Sequence, residues 1–222
     1  MVYRRLVPAE SPTPPVKGAP RRIRGLDAEQ RREQRKQSIL DAALDLFASR
    51  GYPDTSVELI CQTAFVSTKS FYQNFGDRED CYLALYNRTA TEFRAAMSAA
   101  LAVPHVDESA QAEFIIEGFV DLLIADRRKA LITFGHARAF SERIDEARHA
   151  NRVWTADYIE SLWQGRGLSI PPRRVTIAIV GGIFEVVIAE LQAAEITADT
   201  RRGVIDDLLT FYTATRGGLP SA

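Results

Sequence analysis

From Asp27 onward the apolar residues of the chain recur at helical intervals. Ile39, Leu40, Ala43, Leu44, Leu46 and Phe47 form one stripe at a 3.6-residue period, which predicts an amphipathic helix. Asp27 and Gln30 stand at capping-box spacing before it, Gly51 suits its C-cap, and Pro53 stops it. A long helix from about Asp77 to Ala102 carries Tyr82, Leu83, Leu85, Tyr86, Phe93 and Met97, and Pro104 ends it. Beyond residue 105 the pattern predicts five further helical segments and no convincing strand: Ser109–Ala125, Arg128–Phe140, Ser141–Arg166, Arg173–Ala194 and about Thr200–Thr215. The expected fold class is all-α.

Between the first and the long helix, Thr55 to Asp80 reads as two short helices joined by a tight turn, with a third starting at once. Thr55 is the expected cap of the first, with Glu58 three residues on, and Ser67 that of the second. Val57, Ile60, Cys61 and Ala64 mark one apolar face, and Val66, Phe71 and Phe75 the surface it meets. The second helix keeps Thr68, Lys69, Ser70, Tyr72 and Gln73 outward. A short helix sealed below and rich in hydrogen-bonding groups above suits a DNA major groove.

Arg173–Ala194 is apolar almost all round, as expected of a helix covered on every side. The covering surface is either the chain's own core or a second subunit. The second option predicts a four-helix homodimer interface built with the last helix. Its candidates are Ile179, Gly182, Ile183, Val186, Leu208 and Phe211, with Gly181 and Gly182 letting a neighbouring backbone approach.

Composition changes this picture in two places. The chain has 222 residues and a formal net charge of −1, yet residues 1–37 hold ten Lys/Arg against four acids. Residues 1–26 also hold five of the ten prolines. They read as a mobile basic arm on an acidic body, or simply as a solvated tail. The expected organisation is an arm over 1–26, a helix-turn-helix domain over 27–76, and a helical regulatory and dimerisation domain over 77–222, linked by the helix at 77–102.

The chemistry-bearing residues exclude more than they suggest. Cys61 and Cys81 lie in apolar patterns without metal spacing and fit buried free thiols of a reducing compartment. There are three His, no G-x-S-x-G, no phosphate-cradling Gly loop and no metal cluster, so an enzyme is not expected, nor a cofactor. No apolar run reaches the ~18 residues of a membrane helix, and the N-terminus lacks the apolar core of a secretory signal. A cytoplasmic, nucleoid-associated protein is the expectation.

Gln34 to about Phe93 resembles the N-terminal domain of TetR-type transcriptional repressors. The matching pieces are I-L-D-A-A-L-D-L-F-A-S-R-G-Y, T-S-V-E-L-I, A-F-V-S-T-K-S-F-Y-Q-N-F and G-D-R-E-D, in order and at the right spacing. Departures are Phe65 and Lys69–Ser70, where that family tends to have Gly and Gly–Thr, Cys61 for Ala, and Arg78 for Lys. Phe65 implies a non-glycine turn geometry or strain. The phosphate-contact candidates are Thr55, Ser56, Ser67, Ser70, Tyr72, Asn74 and Arg78, of which the resemblance places Tyr72 and Arg78 at backbone-contacting positions. Thr68, Lys69 and Gln73 are the base-edge candidates.

The resemblance also implies a C-terminal domain that dimerises and holds a small, largely apolar effector. Phe119, Leu123, Phe134, His136, Phe140, Trp154, Tyr158, Phe184 and Glu185 are the pocket candidates, each suited to the core more than to ligand contact, with Trp154 and Tyr158, four apart on one helix face, the better candidates. Glu185 within an apolar run needs a partner across the dimer, a cationic ligand, or solvent. The functional expectation is a dimeric repressor on a near-palindromic DNA operator. The alternatives are a DNA-binding dimer without an effector, or an activator.

Overall fold

The computed structural model describes residues 27–135, 141–191 and 197–218, and among these every regular element is a helix. α1 (Ala28–Arg50) opens on the Asp27–Gln30 capping box, with reciprocal bonds of 2.8 and 2.9 Å, and closes at Gly51, whose φ of 79° needs glycine. α2 (Val57–Thr63) and α3 (Thr68–Tyr72) pack across α1, and α4 (Arg78–Leu101) begins from Asp77. α5 (Glu108–Ala125), α6 (Arg127–Phe134), α7 (Glu142–Gly165), α8 (Arg173–Leu191) and α9 (Ala198–Gly217) build the body.

Capping decides most boundaries. Asp107 rather than Ser109 starts α5, and Thr197 starts α9 earlier than expected. α6 stops at Gly135, short of the expected Phe140, and a Cβ at Gly135 would collide with the Leu131 carbonyl. Residues 136–140, with His136 and Phe140 among them, lie outside the described residues, as do the arm 1–26 and residues 192–196.

Two cores result. The headpiece core gathers Ile39, Ala43, Phe47, Ile60, Phe71 and Phe75, and continues along the first half of α4 through Cys81, Tyr82, Leu85 and Tyr86. The second core, around Phe93, Val120, Phe134, Val180, Phe184 and Leu208, belongs to the body. α6 serves both: Ile132 packs in the first, Phe134 in the second, and between them Thr133 donates to Thr89 of α4 at 2.9 Å. Arg128 of α6 pairs with Asp45 of α1 at 2.5 Å, and Arg143 of α7 with Asp80 of α4 at 2.7 Å, so ion pairs brace the headpiece on the body.

α8 is not enclosed by its own chain on every side. Thr176, Ile179, Val180, Phe184, Val187 and Ile188 point inward, whereas Val175, Ala178, Glu185 and Ala189 are exposed. Three interface candidates are therefore committed within the chain. Ile179 and Leu208 are buried in its core, and Gly182 lies under the ring of its own Phe211, which a Cβ there would strike. Gly182 admits a side chain of the same subunit, not a neighbouring backbone. Ile183, Val186 and Phe211 remain half-buried.

Candidate nucleic-acid interface and effector cavity

The cap of α2 is Ser56, not Thr55: its Oγ accepts from the Leu59 amide at 3.2 Å. Thr55 is completely buried, and its hydroxyl donates to the Gly51 carbonyl at 2.8 Å, which locks the entry to α2. Arg78 donates to the Thr55 carbonyl at 2.8 Å and lies 4.3 Å above the Tyr52 ring. Tyr52 in turn stacks on Phe47 and meets Tyr82 edge-on. Buried Thr55 and half-buried Arg78 thus tie the entry of α2 to the start of α4; Thr55 has no surface to offer a phosphate.

Ser67 caps α3 by accepting from the Ser70 amide at 3.2 Å. Ser70 itself turns inward, with its Oγ buried and without a partner. Asn74 donates to the Ser70 carbonyl at 2.8 Å and ties off the helix end. Six candidates remain on the outside: Ser56, Ser67, Thr68, Lys69, Tyr72 and Gln73 are all exposed. Beneath them Ile60 and Phe71 are fully buried, with Phe75 5.4 Å from Phe71 between ring centres. One residue on this side escaped the sequence reading. Arg32 of α1 is exposed and donates to the Gln73 carbonyl at 3.1 Å, which sets a cation beside the end of α3. Its only sequence signal was membership of the basic run that opens α1.

Phe65 occupies the turn with φ 54° and is 96% exposed. The left-handed conformation that glycine would adopt freely is kept, and a large apolar ring pays for it with strain and open exposure.

The body holds a partly open cavity with almost entirely apolar walls. Phe119, Phe134, Trp154, Tyr158 and Phe184 line it. Phe134 is the hub of one wall, with Phe93, Phe119 and Phe184 edge-on at 5.1, 5.5 and 5.0 Å. Leu123 packs in the core instead of on the wall, and Glu185 is exposed outside it. Ile183 and Leu208, expected at a subunit interface, face this cavity.

Sequence reading missed the polar members of the lining, Arg94, Asn151 and Thr155, because each is an ordinary helix residue until α4 and α7 are brought together. Two lining hydroxyls are already engaged: Tyr158 donates to the Met97 carbonyl at 3.0 Å, and Tyr212 donates to Glu108 at 2.7 Å. Burial pushes the Tyr158 phenol up to about 12, so it stays protonated as a donor.

A headpiece with an exposed polar ridge over two capped short helices, set on a helical body with an internal apolar cavity, defines a helix-turn-helix protein with a ligand-receptive body. Residues 39–85 match the family model of bacterial regulatory proteins, tetR family. Over 56 residues the chain is 43% identical to the HTH-type transcriptional regulator HbdR of Aromatoleum sp. (strain CIB), which is 25% of this chain and 24% of that protein. The match therefore spans about a quarter of that relative's length. The fold agrees over far more of the chain. The regulator FadR from Bacillus subtilis, solved with stearoyl-CoA, superposes with a TM-score of 0.66 at 17% identity, covering 83% of this chain and 99% of that one. AibR, solved with isovaleryl coenzyme A and operator DNA, gives 0.62 at 17% identity, covering 79% and 96%. By sequence, residues 39–85 match the N-terminal domain of tetR-family regulators, and the body is alike to the solved regulators in fold alone.

Proposed function

We propose that this chain is a dimeric, sequence-specific DNA-binding repressor that acts inside the cell and is released from a near-palindromic operator by a small, largely apolar ligand. The observation that carries the reading is the ridge of Ser56, Ser67, Thr68, Lys69, Tyr72 and Gln73, exposed together above a closed apolar core. In this reading Ser56, Ser67 and Tyr72 meet phosphates, and Thr68, Lys69 and Gln73 meet base edges. Arg78 and Asn74 act from behind by fixing the ends of α2 and α3, and Arg32 adds a further cation. Residues 27–76 form the DNA-reading unit and 77–222 the regulatory one. The basic residues of 1–26 supply an arm toward the neighbouring minor groove.

The dimer is supported by the face of α8 that its own chain leaves open, around Val175, Ala178 and Ala189, beside α9. Two symmetric headpieces read half-sites about 34–36 Å apart or a multiple of it. The cavity supports the ligand, as do the acyl-coenzyme A molecules held by FadR and AibR. Release requires that the ligand bind better to the headpiece spacing that does not fit DNA.

Selection from a random duplex pool tests the reading. Wild-type protein enriches a near-palindrome, Tyr72→Ala loses affinity, and Lys69→Ala changes base preference. An unenriched pool at low salt defeats it.

A further inference from the structure

The cavity is apolar in all but one corner. Arg94 is the one charged side chain among the described residues that line it. Its Nε and Nη2 both donate to the Asn151 Oδ1, at 3.1 and 3.0 Å, and its guanidinium lies 5.5 Å from the centre of the Trp154 ring. Asn151 is buried, so the guanidinium is held in place by an amide from α7 and by an aromatic neighbour. Among the described residues no carboxylate pairs with it. A guanidinium has five N–H donors in a planar fork, and Asn151 takes only two of them.

The neighbouring polar groups do not compete for the remainder. Tyr158 and Tyr212 donate to Met97 and Glu108, and Thr155 donates to the Asn151 carbonyl at 2.9 Å. A half-buried cation with no counter-ion among the described residues, positioned at an apolar wall, is matched by a ligand that supplies one negative charge.

We propose that the cavity takes an amphipathic carboxylic acid, with its carboxylate on the free edge of Arg94 and its chain or ring among Phe119, Phe134 and Phe184. Asn151 positions the fork; Arg94 does the binding. This rests on the reading of the cavity as an effector pocket, and it narrows the ligand from any apolar molecule to one that ends in a free anion. A coenzyme A thioester has no carboxylate at that end of its chain, so the two chemistries separate cleanly.

The test is calorimetric titration of the full-length protein with matched probes: decanoate against decan-1-ol, 4-phenylbutyrate against 4-phenylbutan-1-ol, and decanoyl-coenzyme A. At least one acid is expected to bind wild-type protein about tenfold or more tighter than its alcohol. Arg94→Met removes that preference by weakening the acid, with the alcohol unchanged, and Arg94→Lys restores part of it. The proposal is overturned if alcohols bind as well as acids, if Arg94→Met weakens both alike, or if only the thioester binds. Failure of every probe overturns it together with the effector reading, whereas operator selection by the headpiece is scored separately and survives either result.

Discussion

Around Phe71 and around Phe134 the chain does two different things with aromatic rings. In the headpiece, Phe71 and Phe75 close a core whose outer surface carries Lys69 and Tyr72, so the inside exists to present the outside. In the body, Phe134 and its three ring partners form one wall of a space they do not fill. A surface that must match DNA fixes the helices beneath it to within a fraction of an ångström, and so fixes the residues that pack them. A cavity needs only apolar walls of suitable size and one polar anchor.

The sharpest way to break the contrast is to truncate one ring on each side. Phe71→Ala is expected to lose about 3–5 kcal/mol, because it empties a fully buried site. Phe119→Ala, half-buried beside space that is already empty, is expected to lose about 2 kcal/mol or less. Urea unfolding of both variants decides, and equal losses would abolish the distinction.

Overpacking comes next. Gly182→Ala drives a methyl into the Phe211 ring and is expected to cost about 1–3 kcal/mol in the same measurement. A neutral result would mean that α8 and α9 slide apart freely. On the headpiece side, Phe65→Gly removes the left-handed strain and the exposed ring, and is expected to raise stability by about 1 kcal/mol with operator affinity unchanged. Loss of affinity instead would make that ring part of the DNA surface.

The smallest effect is that of pH on two ion pairs, Asp80–Arg143 between the headpiece side of α4 and α7 and Asp126–Arg128 at the start of α6. Hydrogen bonding to Arg143 holds the Asp80 carboxyl below its usual value, and hydrogen bonding to Arg128 does the same for Asp126. A depressed carboxylate pKa adds stability that is present above the ordinary carboxylate range and is lost as pH falls through the folded value. Melting temperature is therefore expected to be flat above about pH 5 and to fall modestly below about pH 4. Asp80→Asn should flatten part of that fall.

Legibility in the sequence followed the same division. Caps at Asp27 and Ser67 were readable because a capping side chain acts within three residues of itself. Thr55 was misread because Ser56, an equally good cap, follows it directly, and only tertiary burial separates the two. Five aromatic cavity residues were named from size and polarity. Arg94 and Asn151 were not, since they stand 57 positions apart and meet only when α4 crosses α7. Ile179 and Leu208 were given to a partner subunit because periodicity tells which face is apolar but not what covers it.

α6 has a further consequence. Ile132, Thr133 and Phe134 are consecutive, and consecutive residues on a helix point about 100° apart. One therefore engages the headpiece, the next latches onto Thr89, and the third engages the cavity wall. The helix works like a key cut on three sides and seated in two locks at once. Any turn or slide of α6 that moves Phe134 must also move Ile132 and Thr133, so the cavity wall and the headpiece contact belong to one rigid element.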